Sequence, residues 1–287
     1  MNWLLDPFQS EFSQRAGLIC LMIGVLAPVV GTWVSLRRLA YMGDAMSHSV
    51  LGGVALGFAW LGTSAVLPGA LVAGVAMALL IHWLSQNRRV ATDSVIAVVG
   101  TGLFALGVLL ITRIDSPVSL THFLFGQLLS VGAADLWITL ALTVACLGFA
   151  WWAHGDLVWS TFDRDHAVQV GIPVRRLDAA VLVVLALCVV VCLSAVGTIL
   201  TVSLLITPAA TSRLFHDRIG PLMATGVGIG LVEVLGGFVV AYHADLPPGP
   251  TIALGATLVF VACYAARLGR SERTWVRHVH SHDGHTH

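Results

Sequence analysis

Apolar residues run through this chain in unbroken blocks, separated by short polar or arginine-bearing breaks, with neither period-two alternation nor a single hydrophobic helical face. A helix of about 20 such residues crosses the roughly 30 Å hydrocarbon layer of a bilayer. The blocks fall near 16–36, 43–62, 65–84, 92–111, 134–153, 178–197, 199–215, 219–242 and 251–268. They predict an all-α polytopic transmembrane bundle of eight or nine spans. The count turns on Val196-Gly197-Thr198, which alone divides two of the blocks.

Two connections depart from this pattern. Residues 112–133 carry an apolar middle too short to span, and read as a re-entrant or interfacial segment. Residues 155–177 form the longest connection on the arginine-rich side. There Asp163-Arg164-Asp165 opens a short amphipathic helix that Gly171 and Pro173 close. Such a loop is either a docking element or a plain connector.

Composition agrees with the span pattern: 57% of residues are hydrophobic and 10% charged, and the mean hydropathy is +0.89. The N-terminal MNWLLDPFQSEFSQR has acidic and polar residues where a signal peptide would be basic, so no cleavable leader is expected. All five cysteines lie inside apolar blocks and read as small packing residues.

Charge sets the orientation. Arg37, Arg38, Arg88, Arg89, Arg164, Arg175, Arg176, Arg213, Arg218, Arg267, Arg270, Arg273 and Arg277 fall on one side of a nine-span chain; Arg15 and Arg113 fall on the other. The positive-inside rule then predicts a multi-pass protein of the cell (inner or plasma) membrane, N-terminus outside and C-terminus cytoplasmic. Every basic residue is arginine. A P-loop needs a lysine on the nucleotide phosphates, so any ATP that drives this protein is hydrolysed by another subunit, and no catalytic residues are expected.

Asp44 and His48 lie four apart in RRLAYMGDAMSHSVLGGVALGF, where an arginine pair ends and an apolar block begins. Helical spacing puts them on one face, one turn apart. Carboxylate and imidazole together can hold a divalent cation. Ionisable groups within a span cost several kcal/mol and mark function by default. The alternative is a helix start, with Asp44 near the positive end of the dipole and His48 paired to it. Glu233 is one of three glutamates and the only one deep in a block. It either completes a metal site with Asp44 and His48 or pairs internally. The tail RHVHSHDGHTH sets His278, His280, His282, His285 and His287 around Asp283, a metal-binding composition with little expected fixed structure. The chain therefore divides into a permease domain over 1–270 and a His-rich cytoplasmic tail over 271–287.

Assembled in order, LRRLAYMGDAMSHSVLGGVALG, TDSVIAVVGTGLFALGVLLI, FLFGQLLSV, FDRDHAVQVGIPVRRLD, VGTILTVSLLITPAATSRL and DLPPGPTIALGAT resemble the metal-ion (zinc/manganese/iron) branch of ATP-binding-cassette importer permeases. The resemblance runs from about Arg15 to Gly269. It implies a homodimer with a fold like that of vitamin B12-type importers, two cytoplasmic ATPase subunits, and an extracytoplasmic solute-binding protein that delivers the cation. No nucleic-acid partner is implied. FDRDHAVQVGIPV matches the family's coupling helix, here about 162–172, and makes Asp163, Asp165, Ala167 and Gly171 contacts to the ATPase. GDAMSH matches its transport-path segment and puts Asp44 and His48 on the ion's route. Glu233 has no counterpart in the resemblance.

The expected cargo is Zn2+ or Mn2+ as a passing substrate, with no permanently bound cofactor. Imidazole ligands and the tail favour zinc. A proton-coupled secondary metal transporter using Glu233 is the alternative, and a metal sensor reading the tail is a third.

Overall fold

The computed structural model describes residues 11–62, 65–86, 89–113 and 133–282; side chains are described for 14–59, 62, 65–86, 89–113 and 136–268. All regular structure within them is α-helical. In chain order the helices are α1 (Glu11–Leu36), α2 (Ala40–Ser49), α3 (Leu51–Leu61), α4 (Val66–Leu84), α5 (Thr92–Arg113), α6 (Ala133–Trp152), α7 (His154–Phe162), α8 (Arg164–Gln169), α9 (Val174–Arg213), α10 (Ile219–Ala244) and α11 (Pro248–His282).

Among the described residues six helices are long and apolar enough to cross a membrane: α1, α4, α5, α9, α10 and the first part of α11; α6 with α7, bent by 62° at the break, makes a seventh candidate. Two departures separate this count from the nine blocks. The block 43–62 starts earlier, at Ala40, and is divided at Val50 into helices of 10 and 11 residues. The blocks 178–197 and 199–215 join in α9, whose 40 residues are interrupted only by Gly197 at φ 82°, ψ 174°.

Helix α9 cannot be straight. The stretch from Asp178 to Leu205 would extend about 40 Å as one helix. Yet Asp178 bonds Arg37 at the end of α1, and the Leu205 carbonyl lies against Gly31 only about two turns away. The chain turns back at Gly197, where a positive φ suits glycine.

Small residues bring the helices together. A Cβ on Gly31 would fall 1.7 Å from the Leu205 carbonyl oxygen. Gly53 and Gly69 face each other so closely that a Cβ on either would lie 2.3–2.4 Å from the other's carbonyl oxygen. Gly107 holds α5 against Gly52 of α3 in the same way. This is the small-residue packing that membrane helices use where burial supplies little drive. Pro28 removes a donor from α1 and frees the Gly24 carbonyl, which Gly230 of α10 approaches, its Cβ position being 2.9 Å away.

The core joins α1, the two limbs of α9, α2 and α10, through Ile19, Ile23, Leu26, Met42, Met46, Leu185, Leu200 and Phe238. The re-entrant expectation for 112–133 lies, from residue 114 to 132, outside the described residues. So do His285 and His287. The backbone of α11 continues as helix through His282, where the tail was expected to have little fixed structure.

Candidate cation path

Helix α1 ends in a tight stop. Arg38 takes the left-handed conformation at φ 59°. Arg38 N–H bonds the Ser35 carbonyl at 3.2 Å, and Leu39 N–H bonds the Val34 carbonyl at 2.8 Å. These are the paired bonds of a Schellman motif, with arginine where glycine is usual. Helix α2 begins at once, at Ala40, so the two helices share one rigid turn.

Helix α2 has a buried and an open face. Met42, Gly43, Met46, Ser47 and Ser49 are buried. Ser49 Oγ sits 2.6 Å from the Ala45 carbonyl and 2.9 Å from the Gly100 carbonyl, fastening α2 to α5. Tyr41, Asp44 and His48 recur at helical spacing on the opposite face. The carboxylate and imidazole are together as the spacing predicts: His48 Nε2 is 3.7 Å from Asp44 Oδ1, with the side chains 46% and 47% exposed. The His48 ring stands edge-on to Phe104 of α5, with centroids 5.9 Å apart, inside the usual range for aromatic pairs. Two ligands on an open face can touch a cation without enclosing it.

Glu233 lies elsewhere. It belongs to the buried stripe of α10 that includes Gly226, Gly230, Val234 and Phe238, and it is 5% exposed. Both carboxyl oxygens lack a hydrogen-bond partner. Among the described residues no three His, Cys, Asp or Glu side chains come together as a metal-holding group. Among the described residues, then, Glu233 does not join the Asp44–His48 pair. The reason is its face: the stripe it occupies packs on α1 at Gly24 and Pro28.

The connection 155–177 contains α7 and α8. Asp163 caps α8 by accepting the His166 N–H at 2.9 Å, and Gly171 ends it at φ 84°. Both residues are thus turn-makers. Ala167, expected at the partner surface, is 0% exposed. On a helix this short one face must turn inward, and Ala167 is on that face. Asp165, Val168 and Val170 are exposed instead.

One feature escaped the sequence reading, which took Arg37 only as a marker of orientation. Its guanidinium donates from Nη1 to Asp178 Oδ1 at 2.7 Å, from Nη2 to Ser160 Oγ at 2.6 Å, and from Nε to Thr161 Oγ1 at 3.2 Å. Arg164 Nη2 donates to the other oxygen of Asp178 at 2.7 Å. Burial pulls the Arg37 guanidinium below its usual range, and the charge of Asp178 offsets part of that. The available signal was Asp178 itself, a lone carboxylate opening an apolar block. These groups line a cleft of about 820 Å³ at the arginine-rich end, with Arg38, His82, Gln86 and Arg175 on its other walls.

A bundle of long apolar helices with an open carboxylate–imidazole pair and a short capped helix at its arginine-rich end has the build of a membrane transport subunit. The family model described as "ABC 3 transport family" matches residues 9–267. The manganese transport system membrane protein MntC of Halalkalibacterium halodurans is 35% identical over 96% of this chain and 95% of its own length. The chelated iron transport system membrane protein YfeD of Yersinia pestis is 34% identical over 89% and 86%. A solved structure, PsaBC from Streptococcus pneumoniae in complex with Fab, contains a chain 32% identical, with TM-score 0.80, covering 91% of this chain and 94% of that one. The chain belongs to the ABC 3 transport family, the metal-ion branch of ATP-binding-cassette permeases. It is a non-catalytic, multi-pass membrane subunit of a divalent-metal importer.

Proposed function

We propose that this permease passes a divalent first-row cation from an extracytoplasmic binding protein to the cytoplasm, with Asp44 and His48 as a waypoint, and that manganese or iron is carried in preference to zinc. The observation that carries the reading is the Asp44–His48 pair: two ligands one turn apart, half-exposed, and held by a packed helix. Few ligands make sense for transport, because a passing ion must leave, whereas a full tetrahedral cage would retain zinc. A carboxylate with a single imidazole accepts manganese and iron readily, and relatives with these names support that choice. Zinc, the expectation from the imidazole ligands and the tail, is the alternative cargo.

The arginine-rich end is read as cytoplasmic, which puts α8 where an ATPase subunit docks. Asp165, Val168 and Val170 would make that contact; Asp163 and Gly171 shape the helix, and Ala167 seats it. A second copy of the chain would cover the open face of α2. The division at 270, with a separate His-rich tail as ion buffer, completes the reading.

Uptake by the complex reconstituted with its ATPase and binding protein tests it. ATP-dependent manganese or iron uptake that exceeds zinc uptake is expected. Zinc uptake above both would reverse the cargo assignment, and uptake driven by a proton gradient without ATP would replace the mechanism.

A further inference from the structure

We infer that Arg37 is a positioning residue that links α7 and the docking helix α8 to the α2 segment bearing Asp44 and His48. The inference rests on the reading of the chain as an ATP-driven permease. Arg37 holds three acceptors on two other elements: Ser160 and Thr161 of α7, and Asp178 in the first turns of α9. Arg164, at the start of α8, grips the second oxygen of the same carboxylate. A single carboxylate is therefore held from two sides, by the end of α1 and by the start of α8. The side chain of Arg37 is only 10% exposed and that of Asp178 22%, so solvent screens the link weakly.

On the other side of Arg37 there is no slack. The Schellman bonds at Arg38 and Leu39, followed by Met42 N–H on the Leu39 carbonyl at 2.9 Å, close the turn directly into α2. A displacement of α7 and α8 moves Arg37 through its bonds, and Arg37 moves α2 through the backbone. The planar fork of arginine is what allows one side chain to hold Asp178, Ser160 and Thr161 together; a lysine ammonium on its flexible stem cannot reproduce that geometry.

The test uses the full complex with its ATPase and binding protein, and reads metal uptake and ATP hydrolysis in the same proteoliposomes. Wild-type uptake must depend on ATP; if it does not, the permease reading fails before Arg37 is examined. In Arg37→Gln and Asp178→Asn the cation carried per ATP hydrolysed is expected to fall by roughly tenfold, while hydrolysis persists. Should Arg37→Gln fail to fold, Arg37→Lys decides: it keeps the charge opposite Asp178, keeps thermal stability near wild type, and lowers the uptake-to-hydrolysis ratio several-fold. An unchanged ratio in Arg37→Lys, or uptake and hydrolysis falling in parallel in the folded variants, would make Arg37 a structural brace and overturn the inference.

Discussion

Two polar clusters flank the turn at Arg38, and they are built in opposite ways. On one side Arg37, Asp178, Arg164, Ser160 and Thr161 form a network in which each oxygen of Asp178 has a donor and the guanidinium has three acceptors. On the other, Asp44 and His48 stand 3.7 Å apart on an open face. A part-buried network with both carboxylate oxygens held resists change, because removing one partner leaves the other charge short of its bonds. An unsaturated pair invites a ligand and releases it. The same short stretch of chain thus carries a fixed element and a labile one, in contact through a single helical turn.

The comparison breaks most sharply at the labile pair. Asp44→Ala and His48→Ala are each expected to lower metal uptake below roughly a tenth of wild type, since a two-ligand waypoint has none to spare. Co-purification with the ATPase subunit should be retained, because neither side chain is part of the packed face of α2. Uptake at wild-type level in both variants would remove the pair from the ion's route.

A second break lies in the packing that holds α2 in place. Gly31→Ala would put a Cβ 1.7 Å from the Leu205 carbonyl oxygen, against backbone that cannot give way cheaply. Overpacking of this kind costs about 1–3 kcal/mol, so the melting temperature in detergent should fall by several degrees. Gly102→Ala on α5, with nothing within 4 Å of its Cβ position, is the control and should melt like wild type. Equal stability of the two would mean that α1 and α9 do not meet at Gly31.

The docking surface provides a smaller effect. Val168→Ser and Val170→Ser remove exposed apolar side chains from the α8 region, and each should weaken ATPase binding several-fold, at about 25 cal/mol per Å² of apolar area lost from the contact. Asp163→Ala removes the cap on His166 N–H and should cost about 1 kcal/mol of local helix stability. It should weaken docking by making α8 less ordered, and hydrogen exchange across 164–169 will show whether the loss is in order or in contact.

What the sequence disclosed divides along the same line. Local patterns were legible: apolar blocks marked most of the long helices, Asp163 and Gly171 bounded α8, and spacing placed Asp44 beside His48. Features that depend on distant contacts were not. The pairing of Arg37 with Asp178 joins positions 141 apart, and no local period encodes it. Division of the second block at Val50 carries no proline or glycine at the break itself, and the turn-back of α9 needed the meeting of Gly31 with Leu205 to be seen. The inward face of Ala167 follows from how α8 seats on the bundle, which a family motif does not specify. Glu233 was visible as an oddity, but its stripe, facing α1 and not α2, became known only through packing.

Glu233 gives the smallest expected effect and separates the two mechanisms most cleanly. It is buried with neither carboxyl oxygen bonded, among helices held close by Gly24, Pro28 and Gly230. An ionised carboxylate without a partner there would cost several kcal/mol. Glu233→Gln keeps the size and removes the ionisable group. If the permease is driven by ATP and its ion passes at Asp44 and His48, the variant should transport within about twofold of wild type, since the change touches neither the pair nor the Arg37 network. Loss of transport in a variant that folds and binds its ATPase normally, together with loss of any response to an imposed proton gradient, would assign Glu233 the proton-carrying role that a secondary transporter requires. Uptake measured with and without the gradient, in both proteins, decides between them.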